Sequence, residues 1–107
     1  MRLLFHPDFP KDVVRFANQY RSISTKLELR FRAEVAAALD RIKASPSGAG
    51  HFLNTSSNVV REVRRRNLVS FPHFVLYGVH NENVVIGALI PGASDPLTWL
   101  ARFSNPT

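Results

Sequence analysis

The sequence predicts an α+β domain: an antiparallel β-sheet in the order β-α-α-β-β-β, packed on one face by an α-helical hairpin and closed by a short C-terminal helix. Three observations predict it. Apolar residues recur at helical spacing in two stretches before residue 45. After residue 58 the pattern changes to runs in which neighbouring side chains alternate between faces. Turn chemistry separates the runs, at Ser45-Pro46, Ser70-Phe71-Pro72, Asn81-Glu82-Asn83 and Pro91-Gly92. Neither half could bury its apolar face alone, so residues 1–107 form one domain.

The elements follow in order. Arg2 to Phe5 is a short apolar strand ended by Pro7. Asp8 is placed to cap the first helix, with Pro10 tolerated in its first turn. Phe9, Val13, Phe16, Ala17 and Tyr20 form its apolar stripe, with Lys11, Asp12, Arg15 and Gln19 between them. Thr25 with Glu28, or Ser24 alone, starts a second helix whose stripe is Leu27, Phe31, Val35, Ala38, Leu39 and Ile42. Glu28, Arg32, Glu34, Asp40, Arg41 and Lys43 oppose that stripe. Pro46 disfavours helix at Ser45, and the residues from Ser45 to Asn58 read as a loop. Val59 to Val69, Phe74 to His80 and Val84 to Ile90 are strands joined by tight turns, hence an antiparallel meander. Asp95 and Pro96 open a final helix bearing Trp99 and Phe103. The face away from the hairpin is expected to stay partly open to a partner.

Composition narrows the classes of function. The chain carries a formal net charge of +6, which attracts polyanions or an acidic peptide. It contains no cysteine, which removes disulfides and thiolate metal sites and suits a reducing cytoplasm. The apolar start Met1 to Phe5 is too short for a secretory signal, and no apolar run approaches a membrane span. No close set of His, Asp or Glu has metal-site spacing, and Gly48-Ala49-Gly50 lacks the lysine and helix of a phosphate loop. No cofactor is expected.

The segment Val69-Ser70-Phe71-Pro72-His73-Phe74-Val75-Leu76-Tyr77, followed by an apolar strand and then Asp95-Pro96-Leu97-Thr98-Trp99, resembles toxins of the RelE/ParE family. His6-Pro7-Asp8 and the stripe from Phe31 to Ile42 ending before Pro46 resemble the family's first half, so the likeness covers most of the chain. The Phe-Pro, Tyr and Asp-Pro…Trp pieces look most like the ParE branch. The resemblance implies the toxin of a type II toxin–antitoxin pair, a growth inhibitor linked to plasmid stabilization and blocked by a cognate antitoxin that wraps it. ParE-like toxins poison DNA gyrase, whereas RelE-like toxins cut messenger RNA on the ribosome. Family members often carry a basic residue just before the Asp-Pro pair. Here Ala93 and Ser94 stand there, which weighs against RNA cleavage and leaves room for a decayed, non-toxic interaction module.

Candidate site residues lie on and after the strand from residue 59. Arg61, Arg64, Arg65, Arg66 and, in the last helix, Arg102 are candidates for target or partner binding. If the chain is enzymatic, as a ribosome-dependent messenger RNA endoribonuclease, it needs a base, an acid and phosphate-stabilising charge. Arg64, Arg66, Tyr77 and His80 are the weak candidates for those roles. Alternation puts Arg64 with Arg66 and Arg61 with Arg65 on opposite faces, and it separates Tyr77 from His80 unless a bulge or a strand end intervenes. The plainer expectations are Tyr77 as a core or rim aromatic with its hydroxyl in solvent, His73 as an exposed turn residue, and Trp99 as an anchor for the last helix. The favoured reading is gyrase inhibition by protein contact, without chemistry of its own.

Overall fold

The structure, a computed structural model, describes residues 2–46, 51–54, 62–80, 82–94 and 101–104. Strand β1 (Arg2–Phe5) leads into helices α1 (Phe9–Arg21) and α2 (Thr25–Ala44). Strands β2 (His51–Asn54), β3 (Glu62–Asn67), β4 (His73–His80) and β5 (Asn83–Pro91) follow, then a single helical turn, α3 (Ala101–Ser104). The described strands form one sheet in the order β1-β5-β4-β3-β2.

The helix boundaries follow local chemistry. Ser24 caps α2 by accepting the Leu27 N–H at 3.1 Å, so the hydroxyl alone does the capping. Glu28 is drawn instead to Arg32 Nε at 3.1 Å. Asp8 occupies the cap position of α1 but makes no side-chain cap bond. Pro10 needs no helical N–H in that first turn.

The sheet departs from expectation in three places. Residues 51–54, read as loop, pair antiparallel with β3 from His51↔Arg65 to Asn54↔Glu62. Their short length and polar, glycine-bearing surroundings hid a strand of four residues. The sheet is mixed, because β1 joins it parallel to β5 (Leu3↔Val84, Phe5↔Ile86) while the meander is antiparallel as expected. Strand β3 ends at Asn67, where Leu68 turns away and donates its N–H to His73 O at 2.9 Å.

Both faces of the sheet are covered. On one side α1 and α2 bury Phe16, Phe31, Val35 and Ile42 against Val75, Tyr77, Val84, Ile86 and Leu89. On the other, Val63, Phe74, Leu76, Ala88 and Ile90 form a second small core with Phe103 of α3. The expected open face is therefore largely closed over these residues. A β-bulge interrupts the β4–β5 ladder. Leu76 pairs with Ala88 but Tyr77 pairs with Ile86, leaving Gly87 as the extra residue. Glycine suits that position, since a Cβ would overlap the Phe103 ring.

The bulge lies where β1 has ended, so among the described residues β5 has no strand on that edge beyond Ile86, whose carbonyl receives His6 N–H at 2.8 Å. Two side chains take over. Asp12, 2 % exposed, accepts the Leu89 N–H at 3.1 Å. Arg102 donates to Gly87 O at 2.9 Å and to Asp12 Oδ2 at 2.7 Å. Leu89 N–H and Gly87 O on the bulged edge are thus satisfied by one largely buried ion pair joining α1 to α3.

Candidate functional site

Cross-strand register decides where the arginines point. Arg64 pairs with Tyr77 and Arg66 with Val75, and both partners belong to the hairpin-side core. Arg64 and Arg66 therefore flank the helical layer, each partly exposed. Arg65 pairs with Leu76 and lies on the opposite face. There its guanidinium carbon sits 3.9 Å from the centroid of the Phe74 ring. Its Nε and Nη2 also donate to Asn67 Oδ1, at 3.3 and 3.0 Å. Arg61 lies outside the described residues, as does the side chain of His80.

Two candidates are committed to the fold. Tyr77 is fully buried, and its hydroxyl donates to Pro46 O at 2.7 Å, tying β4 to the end of α2. Its hydroxyl is not a solvent-facing tip, contrary to expectation, because the Pro46 carbonyl just past α2 accepts its proton. Arg102 turns inward onto Asp12 and Gly87, so its guanidinium serves the sheet edge in this arrangement. Arg64 and Tyr77 are in register, yet the Tyr77 proton is already directed at a backbone carbonyl. The expected Asp95–Trp99 helix start lies outside the described residues. Among the described residues no group of three His, Asp or Glu is placed to hold a metal ion, and no helix is long and apolar enough to cross a membrane.

The turn between β3 and β4 is rigidly mounted. Glu34 of α2 accepts the N–H groups of Val69 and Ser70 through one oxygen, at 3.0 and 2.9 Å. Burial alone would raise the Glu34 pKa, but the bonds from Ser70 and Val69 and the charge of Arg30 outweigh it and lower the value. Gly92, in the turn after β5, donates to Pro72 O at 2.7 Å and couples the two turns. Val69, held at the tip, is 73 % exposed.

His73 is not an exposed turn residue. It is 7 % exposed, with its ring edge-on to Phe16, Phe31 and Tyr20 at centroid distances of 4.6, 5.2 and 6.0 Å. Desolvation lowers its pKa, which keeps the imidazole neutral at pH 7. Among the described residues its buried Nδ1 has no hydrogen-bond partner. Alternation groups His73 with Val75 and Tyr77 on one face, and the structure turns that face toward the hairpin. Helical spacing likewise contained a signal for Asp12, three residues after Phe9 and four before Phe16, and for Glu34, between Phe31 and Ala38.

A second surface lies across the hairpin. Phe5, Val13, Val14, Val35, Ala36 and Leu39 line an apolar groove of about 480 Å³, with Arg32 at its side. Phe5 and Val14 are nearly half exposed. Lys11 and Arg15 stand beside an adjoining apolar depression with Pro10 and Val14. The groove abuts β1, whereas the arginines of β3 lie across the sheet with β5 and β4 in between.

A small mixed sheet, a helical hairpin on one face and a helical turn on the other define the class of fold. A chain of the chromosomal ParDE TA system from P. aeruginosa shares it, with a TM-score of 0.70 over 85% of this chain and 95% of that chain, at 15% sequence identity. No protein-family model matches the sequence, and no curated protein matches it.

Proposed function

We propose that this chain is the toxin of a type II toxin–antitoxin module, a growth inhibitor held silent by a cognate antitoxin and directed, in the manner of ParE, at DNA gyrase. The observation that carries this reading is the shared fold across nearly the whole of both chains with a component of a ParDE TA system. The basic charge and the apolar groove across the hairpin support an acidic amphipathic segment as the antitoxin's contact. Burial of the Tyr77 hydroxyl and the inward turn of Arg102 favour inhibition by contact over inhibition by chemistry.

The rival reading, a ribosome-dependent messenger RNA endoribonuclease, draws support from Arg64 standing opposite Tyr77 in register. A supercoiling assay with purified gyrase separates the two. Dose-dependent loss of supercoiling is expected, with Arg64→Ala/Arg66→Ala weaker than the parent chain. Undisturbed gyrase together with messenger RNA cut at ribosome positions would replace the gyrase reading with the nuclease one.

A further inference from the structure

Two rows of arginine meet where the hairpin overhangs the sheet. Contacts near either end of α2 place them. Toward one end, Glu34 holds the β3–β4 turn through Val69 and Ser70. Past the other, Pro46 O receives the hydroxyl of Tyr77, the register partner of Arg64. Helix α2 therefore runs along β3, with residue 34 beside the turn and residue 46 near the level of Arg64. Arg64 and Arg66 rise from the strand on the hairpin side, about 7 Å apart along it. Strand β2 continues the sheet outside β3.

The second row belongs to the helix. Seven residues of helix complete nearly two turns and rise about 10 Å. Arg41 thus leaves α2 on the side from which Glu34 reaches the turn, near the level of Arg66. Arg30, one turn before Glu34, shares that side, and its charge acts on the Glu34 carboxylate. Arg30 and Arg41 are exposed, and Arg64 and Arg66 are half-buried. Glu34 is committed to the turn, and Asp40 leaves the helix about 100° round from Arg41. The seam between α2 and β3 is therefore cationic along its length.

Charge and apolar surface are segregated on this molecule. The apolar groove abuts β1, with β5 and β4 between it and the seam. A peptide partner gains most from a buried apolar anchor, which the groove offers and a row of guanidinium groups does not. Unpaired bases need exposed aromatic faces to stack on, whereas Tyr77 and Phe71, beside the seam, are buried. Paired rows of arginine without a stacking surface suit the phosphates of a duplex.

We propose that the seam between α2 and β3 binds the backbone of double-stranded DNA through Arg41, Arg64 and Arg66, with Arg30 at its end. The choice of DNA rests on the reading of gyrase as the target. The proposal adds to that reading a contact with the nucleic acid itself. The chain's charge of +6 speeds the approach, and the seam fixes where the phosphates lie.

The test is fluorescence anisotropy of a labelled 20-base-pair DNA duplex titrated with the full chain at salt concentrations from about 50 to 200 mM. Three to four phosphate contacts give a slope of log affinity against log salt of about −3 to −4. Arg41→Ala should weaken binding roughly eightfold at 0.1 M salt and make the slope shallower by about 1. Arg64→Ala/Arg66→Ala should make it shallower by about 2. Arg2→Ala removes the same charge from β1, at the far edge of the sheet, and should leave the slope unchanged. Unfolding curves establish that each variant is folded, and the exposed Arg41 serves if the strand pair is not. No binding at 50 mM salt, or an equal loss in Arg2→Ala, would overturn the proposal. So would tighter binding of single-stranded DNA, duplex RNA or polyglutamate. Supercoiling is read separately. A chain that inhibits gyrase yet binds no duplex overturns the seam and leaves the gyrase reading standing; one that binds the duplex and leaves gyrase undisturbed does the reverse.

Discussion

Replacing Asp12 with alanine should be among the most damaging single changes in this chain. The carboxylate is 2 % exposed and serves two elements at once. It accepts the Leu89 N–H at 3.1 Å and the Arg102 guanidinium at 2.7 Å. Truncation leaves a partly buried guanidinium, 16 % exposed, without its counter-ion, and a strand-edge N–H without its acceptor. Breaking a buried pair from one side costs about 3–5 kcal/mol. For a domain of this size that lowers Tm by roughly 10–20 °C. The assay is thermal and urea unfolding of Asp12→Ala, Arg102→Met and the double variant. The double variant should be less destabilised than the sum of the singles by at least about 1 kcal/mol, because it removes the charge that Asp12→Ala strands. A loss below about 1 kcal/mol for Asp12→Ala, or strict additivity, would refute the role given to this pair at the bulged edge.

Other expectations follow from the same geometry. Gly87→Ala forces a methyl into the Phe103 ring and should cost about 1–3 kcal/mol by overpacking, recovered in part by Phe103→Leu in the same chain; unfolding curves decide it. Glu34→Ala should cost about 1 kcal/mol and free the turn, seen as faster amide exchange at Val69 and Ser70. Because the Glu34 pKa is lowered in the fold, its contribution is complete above the ordinary value of 4.5 and is lost as pH falls through the folded value. His73 also has a lowered pKa, so below 6.5 the unfolded chain takes up the proton first and stability declines as pH falls. His73→Phe should flatten that decline, and an unchanged slope would show that other groups set it. Arg64→Ala/Arg66→Ala should leave unfolding stability within about 1 kcal/mol of the parent while weakening target engagement; a large stability loss would make these arginines part of the fold.

Much of the fold was legible in the sequence because helical and strand periodicities are strong where one face is buried. Phe31, Val35, Ala38 and Ile42 all fall in the core along one stripe of α2. Strand β5 read as apolar on both sides, and it is, with the bulge at Gly87 shifting the alternation between its halves. Strand β2 was not legible, since four residues on a sheet edge leave too short a pattern. The parallel seat of β1 depends on the path of the hairpin, which local sequence does not encode.

The candidate residues were legible by type but not by direction. Arginines on β3 could be grouped by alternation, yet which group met the helices required the register with β4. The inward turn of Arg102 depends on Asp12, ninety positions away in sequence. His73 was misread because proline before it suggested an exposed turn, whereas Phe16, Tyr20 and Phe31 close over its ring.

Growth after induced expression, with and without the small acidic protein expected from a neighbouring reading frame, tests the central claim most directly. Arrest by this chain alone, and recovery when the acidic protein is co-expressed and co-purifies with it, is the predicted result. Normal growth at full soluble expression of a folded chain would contradict the account.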